Sequence, residues 1–424
     1  MTVVTHPGLR VGVYAALLDE TSGGVRQFVM GLADGLSKLA DGGEEYLFFT
    51  RQGADDWLRP YISGPCRILA GRGAPWPSRL KRGFGLAFPT VRKAWHMLKA
   101  NNPGQHIPLP RSDGTMEKAG VELIHFPTQE AFLTEVPSIY HPWDLQHLHL
   151  PQFFSPWVRR VRDFAYRTFC EQARMVSVAT SWTKQDLVRH FGLTEEKIEV
   201  IPGAPLLHVY PTPTAQDLES VRTRFGLREA FAFYPAQTYP HKNHARLLEA
   251  LAALRDHYGL TIPFVFSGIL SEYFGQVKRH VRRLRLVDQV RFLGFVTPLE
   301  LQCLYRLCRC MVFPSEFEGF AFPVTEAFLA GAPTACSTAA CLPELAGDAA
   351  VLFDPEDLQQ MAEAMRRVWT DDSLRRTLVE RGYRNVARYS WQRTAKVFRA
   401  HYRRLAQRAL TEEDRALIGA PIPV

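Results

Sequence analysis

The chain has 424 residues, of which 46% are hydrophobic and 22% charged, and its 51 lysines and arginines against 43 acids give a net charge of +8. This is a globular, soluble composition with length for two average domains, and its charge excess is too mild for a dedicated nucleic-acid binder while suiting an anionic small molecule or an anionic membrane face. Seven cysteines without paired spacing argue against a disulfide framework and a structural zinc site, and predict reduced thiols in a cytoplasmic protein.

Residues 1–10 show no apolar run behind a basic cluster, so no signal peptide is expected. No apolar run reaches the ~18 residues of a membrane span. In chain order, a strand is predicted at 11–14, a glycine turn at Gly23-Gly24 and a helix over 25–39. Strands follow at 46–49, 123–126, 138–140 and 175–179. Ser181 is read as the cap of a helix, and 198–201 as another strand. Pro202-Gly203-Ala204-Pro205 is a stiff break, and with 210–217 it reads as a linker. The pattern then restarts. A strand at 231–234 precedes a helix over 244–257 with Leu247, Leu248, Leu251 and Leu254 on one face. Strands are predicted at 263–267, 290–292 and 311–313, and a helix over 323–330. Thr297-Pro298-Leu299-Glu300 is a capping box with proline at the first helical position. Trp391, Ala395, Phe398, Tyr402 and Leu405 form one helical stripe near the end.

Short apolar runs alternating with helical patterns are the signature of parallel sheets with crossover helices. The expectation is α/β: two doubly wound, Rossmann-like units of roughly 200 residues each. Ligands of such sheets bind at the carboxyl ends of the strands, and with two units the expected site is the cleft between them.

The sharpest constellation is Glu318-Gly319-Phe320-Ala321-Phe322-Pro323-Val324-Thr325-Glu326. One carboxylate follows a strand end and a second lies inside the next helix. The intervening turn opens a helix N-terminus, which suits an anion, beside carboxylates that suit hydroxyls. A nucleotide sugar offers both; the alternative is two solvated glutamates around an ordinary loop-to-helix turn. The second element, Tyr234-Pro235-Ala236-Gln237-Thr238-Tyr239-Pro240-His241-Lys242-Asn243-His244, sets Lys242 at a helix start. Either this is a plain basic helix start, which the helix dipole disfavours, or the lysine faces a ligand anion such as a phosphate leaving group. Gly23 and Gly24 offer amides to a phosphate or an acceptor, or form a plain tight turn. His125 and His149 read as structural.

Further motifs stand in a fixed order: Ser22-Gly23-Gly24-Val25, Asp144-Leu145-Gln146-His147, Ser181-Trp182-Thr183-Lys184, Val200-Ile201-Pro202-Gly203, Arg291-Phe292-Leu293-Gly294-Phe295-Val296, Phe313-Pro314-Ser315, Ala330-Gly331-Ala332-Pro333, Leu342-Pro343-Glu344 and Phe353-Asp354-Pro355. With the glutamate pair and Lys242, this ordered set resembles the retaining glycosyltransferases of family 4, of GT-B fold, from about Val11 to Trp391. The resemblance implies an N-terminal acceptor domain (1–205), a donor domain (206–390) facing it across the cleft, and a C-terminal helix and tail (391–424) crossing back to the first domain. It implies a hexosyltransferase of the mannosyltransferase-like branch, without metal or cofactor, taking a nucleoside diphosphate sugar and a glycan or lipid-linked acceptor. Carried over by position, Glu326 would hold the donor ribose, Glu318 the transferred sugar, Gly319, Phe320 and Ala321 the sugar or diphosphate, Lys242 the diphosphate, and Phe295 and Val296 the base.

Three departures stand out. Gln237 replaces the family's usual arginine, a swap shared by a branch with Tyr-Pro-Ala-Gln before His-Lys-Asn-His. Trp143 precedes Asp144 where the family has histidine, so either His141 or His147 takes that role, or the step runs without it. Ala321 stands where glycine is usual. These departures motivate an alternative, a nucleotide-sugar-binding protein that does not transfer; a sugar-nucleotide epimerase is a further one. A dinucleotide oxidoreductase is disfavoured, because neither half carries Gly-x-Gly-x-x-Gly after its first strand. Finally, 57–112 contains no acid, and within 79–99 Val91, Trp95 and Leu98 share a face flanked by Arg92, Lys93 and Lys99. That segment is either a peripheral contact with an anionic membrane or a packed helix with solvated charges.

Overall fold

The computed structural model describes residues 8–17, 23–71, 107–206, 210 and 212–419. The basic segment 79–99 lies outside the described residues. The chain forms two compact units, one running to Gly203 and including the segment from Trp391, the other Ala204–Ser390.

The first unit holds a parallel sheet of β1 (Arg10–Tyr14), β2 (Glu45–Arg51), β3 (Cys66–Gly71), β4 (Leu123–Phe126), β5 (Ser138–Tyr140), β6 (Met175–Val178) and β7 (Ile198–Val200), in spatial order β3-β2-β1-β4-β5-β6-β7. Val11 lies opposite both Tyr46 and Leu123, which sets the register at the sheet centre. Strands covered on both faces need continuous apolar runs, and Leu123–Phe126 is buried throughout. β3 was not expected. It is an edge strand interrupted by exposed Arg67, so it lacks such a run.

The second unit repeats the plan with β8 (Ala232–Pro235), β9 (Phe264–Ser267), β10 (Val290–Phe292), β11 (Cys310–Phe313), β12 (Thr334–Ser337) and β13 (Ala350–Phe353), ordered β10-β9-β8-β11-β12-β13 and parallel. β12 escaped the sequence reading because Thr334-Ala335-Cys336-Ser337 is made of small side chains, although all four are buried.

Helices complete both units and correct several boundaries. α1 (Gly23–Ser37) begins two residues early, so Gly23 and Gly24 form its exposed first turn rather than the turn before it. α2 (Pro156–Gln172), capped by Ser155, was unexpected. α3 (Ser181–Phe191) is capped by Thr180, whose hydroxyl accepts from the Thr183 amide at 3.2 Å, so Ser181 is its first residue and not its cap. α4 (Ala215–Phe225) takes the end of the expected linker, because Thr214 and Asp217 make a reciprocal capping box. α5 (His244–Tyr258), α6 (Phe274–Arg283), α7 (Pro298–Leu307), α8 (Phe322–Ala330), α9 (Leu358–Thr370) and α10 (Asp372–Val386) surround the second sheet. The box at Thr297 and Glu300 caps α7 as expected. All seven cysteines are buried free thiols. Among the described residues, no helix is long and apolar enough to cross a membrane.

α11 (Trp391–Leu405) packs on α1 within the first unit, and α12 (Glu412–Gly419) packs on α11. Gly31 and Gly35 open the groove for this contact. A Cβ on Gly31 would lie 1.9 Å from the Trp391 ring, and one on Gly35 would lie 2.5 Å from the Trp391 carbonyl oxygen. Arg399, only 2% exposed, pairs with Asp41 and lies 3.6 Å from Glu413. Arg403 joins Glu44 at 2.6 Å and Asp414 at 2.8 Å. Gly31→Val therefore overpacks the helix contact and is expected to destabilise the first unit by about 1–3 kcal/mol, read as a lower urea midpoint; an unchanged midpoint would contradict the packing.

Buried histidines make this unit acid-sensitive. Burial pushes His141 and His401 down to about 3, and burial together with the Arg162 charge pushes His147 down to about 4. His125, held by the Tyr402 hydroxyl at 2.8 Å, also lies well below the usual 6.5, by burial and then by His141. These rings stay neutral in the fold, whereas the unfolded chain takes up their protons below about pH 6.5. Stability is thus complete above that pH and falls as pH drops towards the folded values, by up to about 1.4 kcal/mol per pH unit for each histidine. The denaturation midpoint of this unit is expected to be lower at pH 5 than at pH 7; equal midpoints would refute the assignment.

Candidate active site

In the second unit, β8 and β11 are neighbours at the sheet centre, and the strand order reverses between them. Loops leaving such a pair diverge and open a crevice at the carboxyl ends. Lys242 lies on the loop after β8, and Glu318 on the loop after β11. Lys242 Nζ meets Glu318 Oε1 at 2.5 Å, and the two side chains are 18% and 12% exposed. The ammonium also sits 5.7 Å from the centre of the Phe313 ring.

Local structure positions the lysine. Pro240–Lys242 forms one tight helical turn, and Asn243 then takes the left-handed conformation, with φ 57°, which short polar side chains tolerate. The Asn243 side-chain amide donates to the Pro355 carbonyl at 3.0 Å, and the Tyr234 hydroxyl donates to the Lys242 carbonyl at 3.0 Å. The Glu316 amide donates to the His241 carbonyl at 2.8 Å and so joins the two loops, while the Ser337 hydroxyl on β12 donates to the Ser315 carbonyl at 2.6 Å and anchors the glutamate loop. Glu316 is raised above the usual carboxyl range by burial and by Glu356, against Arg246. Gly268 allows the β9 end to approach the same loop: with φ 126°, its Cβ would fall 2.5 Å from the Ala236 carbonyl oxygen.

Gly319, Phe320 and Ala321 lead from Glu318 into α8, whose first turn has no side-chain cap. In that turn the Val324 amide donates to the Ala321 carbonyl at 3.1 Å, and Pro323 has no N–H to offer. Ala321 is 1% exposed, so its methyl group is buried in the protein. Phe320 packs edge-on against Phe322 at 4.8 Å. Glu326, inside α8, is 2% exposed and accepts from the Tyr305 hydroxyl at 2.9 Å. Burial, and then the Glu326 charge, raise the Tyr305 phenol well above its usual value. Gln237 is half-buried on the β8 loop. Beyond β10, Phe295 is 73% exposed and Val296 buried. The structure thus brings Lys242 and Glu318 into contact, with Gln237 on the lysine's loop and Gly319–Ala321 following the glutamate. Tyr305 and Tyr234 were missed, because aromatics at helical or strand spacing read as core.

The first unit carries the other candidates. His141 is fully buried, stacked on Trp143 at 4.3 Å and edge-on to Phe28 at 5.2 Å. Trp143 has φ 70° and donates from its indole to the Pro127 carbonyl at 3.0 Å. His147 is fully buried too, edge-on to Tyr166 at 5.5 Å. The ring nitrogens of His141 and His147 have no protein partner among the described residues. Asp144 keeps exposed surface, and its Oδ1 accepts from the Gln146 amide at 3.0 Å.

Two family models match the chain: Glycosyltransferase Family 4 over residues 22–204, and Glycosyl transferases group 1 over 216–385. The chain belongs to glycosyltransferase family 4, and its two Rossmann-like units are those of the GT-B fold. It is 27% identical over 249 residues to the O-antigen chain mannosyltransferase B of Escherichia coli, covering 59% of this chain and 65% of that protein. It is 32% identical over 270 residues to the serotype-specific mannosyltransferase WbdA of Escherichia coli, covering 62% of this chain and 32% of that protein. The match thus spans just under two thirds of the first relative and about one third of the second. Among solved structures, a sucrose-phosphate synthase from Thermosynechococcus elongatus superposes with a TM-score of 0.69 at 20% identity, covering 94% of this chain and 99% of that one.

Tyr305→Phe removes one donor from buried Glu326 without changing shape. It is expected to cost the second unit about 1.5–3 kcal/mol, measured by urea denaturation; a loss below about 0.5 kcal/mol would show that the contact does not hold the carboxylate.

Proposed function

We propose that this protein transfers a hexose, mannose or a close relative, from a nucleoside diphosphate sugar to a sugar hydroxyl of a glycan or lipid-linked acceptor, with retention of anomeric configuration. The observation that carries this reading is the contact of Lys242 with Glu318 at the strand-order reversal of the second sheet. A cation and a carboxylate side by side match a diphosphate joined to a sugar. The mannosyltransferase relatives favour mannose.

In this reading Lys242 neutralises the diphosphate as the bond from the anomeric carbon to the phosphate oxygen breaks. The backbone around Phe320 and Ala321 meets the sugar or diphosphate, Glu318 orients the sugar, and Glu326 holds the ribose. Phe295 and Val296 frame the base, and Gln237 donates a neutral hydrogen bond where the family usually has arginine. The acceptor hydroxyl attacks from the face the leaving group vacates, and a diphosphate oxygen takes its proton. The protein's contribution is position and charge, with no metal or cofactor. In the first unit, Asp144 is assigned to the acceptor, with the amides of Gly23 and Gly24. His141 and His147 are buried parts of the same segment. Peripheral contact with anionic membrane through 79–99 completes the reading for a lipid-linked acceptor; co-sedimentation with anionic vesicles at low salt tests it, and its absence would remove that part.

The test is product analysis with GDP-mannose and UDP-hexoses against glycan acceptors, reading the new linkage by NMR. A retained α-configuration is expected. An inverted product, or donor binding with no transfer to any acceptor, would contradict the proposal; the latter would favour a binding protein. Lys242→Ala is expected to lower turnover about 100-fold or more and Gln237→Ala clearly less; equal, small losses would overturn the roles. Glu318→Gln, which frees Lys242 from its anion, is expected to tighten free nucleoside diphosphate binding a few-fold while lowering turnover. Weaker nucleotide binding in that variant would contradict the competition between carboxylate and diphosphate for the lysine.

A further inference from the structure

A second cluster of ionisable groups lies in the first unit, made of residues given no role above. Asp186 and His190 stand one turn apart on α3, which places them on one helix face. His149 ends the short helix Gln146–His149. His149 Nε2 lies 2.8 and 2.9 Å from the two Asp186 carboxylate oxygens, and His190 Nε2 lies 3.4 Å from one of them. One ligating atom from each residue falls within 4.8 Å of the others. The imidazole centroids are 5.3 Å apart and nearly perpendicular, at 83°, so the rings converge rather than stack.

Burial and charge explain what this convergence is for. The Asp186 side chain is only 2% exposed, whereas His149 and His190 are 28% and 35% exposed. Among the described residues, the ion-pair partners of Asp186 are these two imidazoles, with no lysine or arginine. A buried carboxylate requires a compensating charge. Two partly exposed imidazoles each present Nε2 to it. Two imidazoles and one carboxylate are a donor set for zinc and its neighbours, whose ligand bonds of about 2.0–2.2 Å separate ligand atoms by about 3.3 Å in a tetrahedron. The His190–Asp186 spacing already meets that. The His149–Asp186 spacing needs to open by about half an ångström, a small motion for a half-exposed ring at the end of a four-residue helix. The Trp182 ring, 5.4 Å from that of His149, supplies an aromatic wall.

We propose that His149, Asp186 and His190 form a binding site for a divalent transition-metal ion of the zinc class. The bound ion ties the segment containing Asp144 and the short helix behind it to α3. Its role is to hold that segment in place, and it does not require the donor reading above to be correct.

The test uses the tag-free full-length chain. Cobalt(II) is titrated while its visible ligand-field bands are followed, and zinc(II) is then titrated against a chromophoric chelator. One equivalent of cobalt is expected to give bands that zinc displaces, with micromolar or tighter zinc affinity. His149→Ala and His190→Ala should each weaken binding at least tenfold; His190→Gln serves as the milder variant, and the metal-free melting curve of each confirms that it folds. No bands and no saturable zinc binding, or binding unchanged in the double variant, would overturn the site and leave Asp186 as a carboxylate held by two histidines.

Discussion

The placement of Lys242 against Glu318 depends on one topological constraint, the reversal of strand order between β8 and β11. The two side chains are 76 residues apart in the chain, yet parallel pairing of Cys310 with Ala232 and of Met311 with Phe233 brings their strands together. Each loop is then held by backbone and side-chain contacts that do not involve the ion pair: Tyr234 and Asn243 secure the lysine loop, and Ser337 secures the glutamate loop. A cation and an anion whose loops are anchored without the ion pair can exchange partners without rebuilding the site. That is what a site for an anionic leaving group requires.

The first unit repeats the strand order around its own first strand, β3-β2-β1-β4, but uses it differently. Its core carries neutral histidines and aromatic rings, with Phe28 touching His141, Trp143, Trp391 and Phe398 edge-on. Of Asp144, His141 and His147, Asp144 alone retains exposed surface. The unusual backbone at Trp143 is held by its indole hydrogen bond to Pro127. Trp143, which stands where the resemblance leads one to expect a histidine, is a buried packing residue.

Much of this was legible in the sequence, for physical reasons. Central strands such as Leu123–Phe126 announce themselves because burial on both faces demands apolar runs. Capping at Thr297 and Glu300 is legible because it is local. β3 and β12 were not, since an edge strand tolerates Arg67 and a tightly packed strand uses small residues. In the site, Lys242 and Glu318 stood out through their ordered motifs. The support of Glu326 by Tyr305 did not, because a buried tyrosine has the same spacing as a core aromatic. The burial of His141 and His147 was equally hidden, as composition does not say which way an imidazole faces. The cluster of His149, Asp186 and His190 joins residues 37 apart whose proximity only the folded sheet creates.

The most direct measurement of the central claim is calorimetric titration of GDP, UDP and ADP into the purified chain without metal, repeated on Lys242→Ala. The account predicts micromolar binding of one nucleotide, lost in the variant while its melting curve is unchanged. No binding of any of the three, or equal binding in the variant, would contradict the assignment of this crevice to a nucleoside diphosphate.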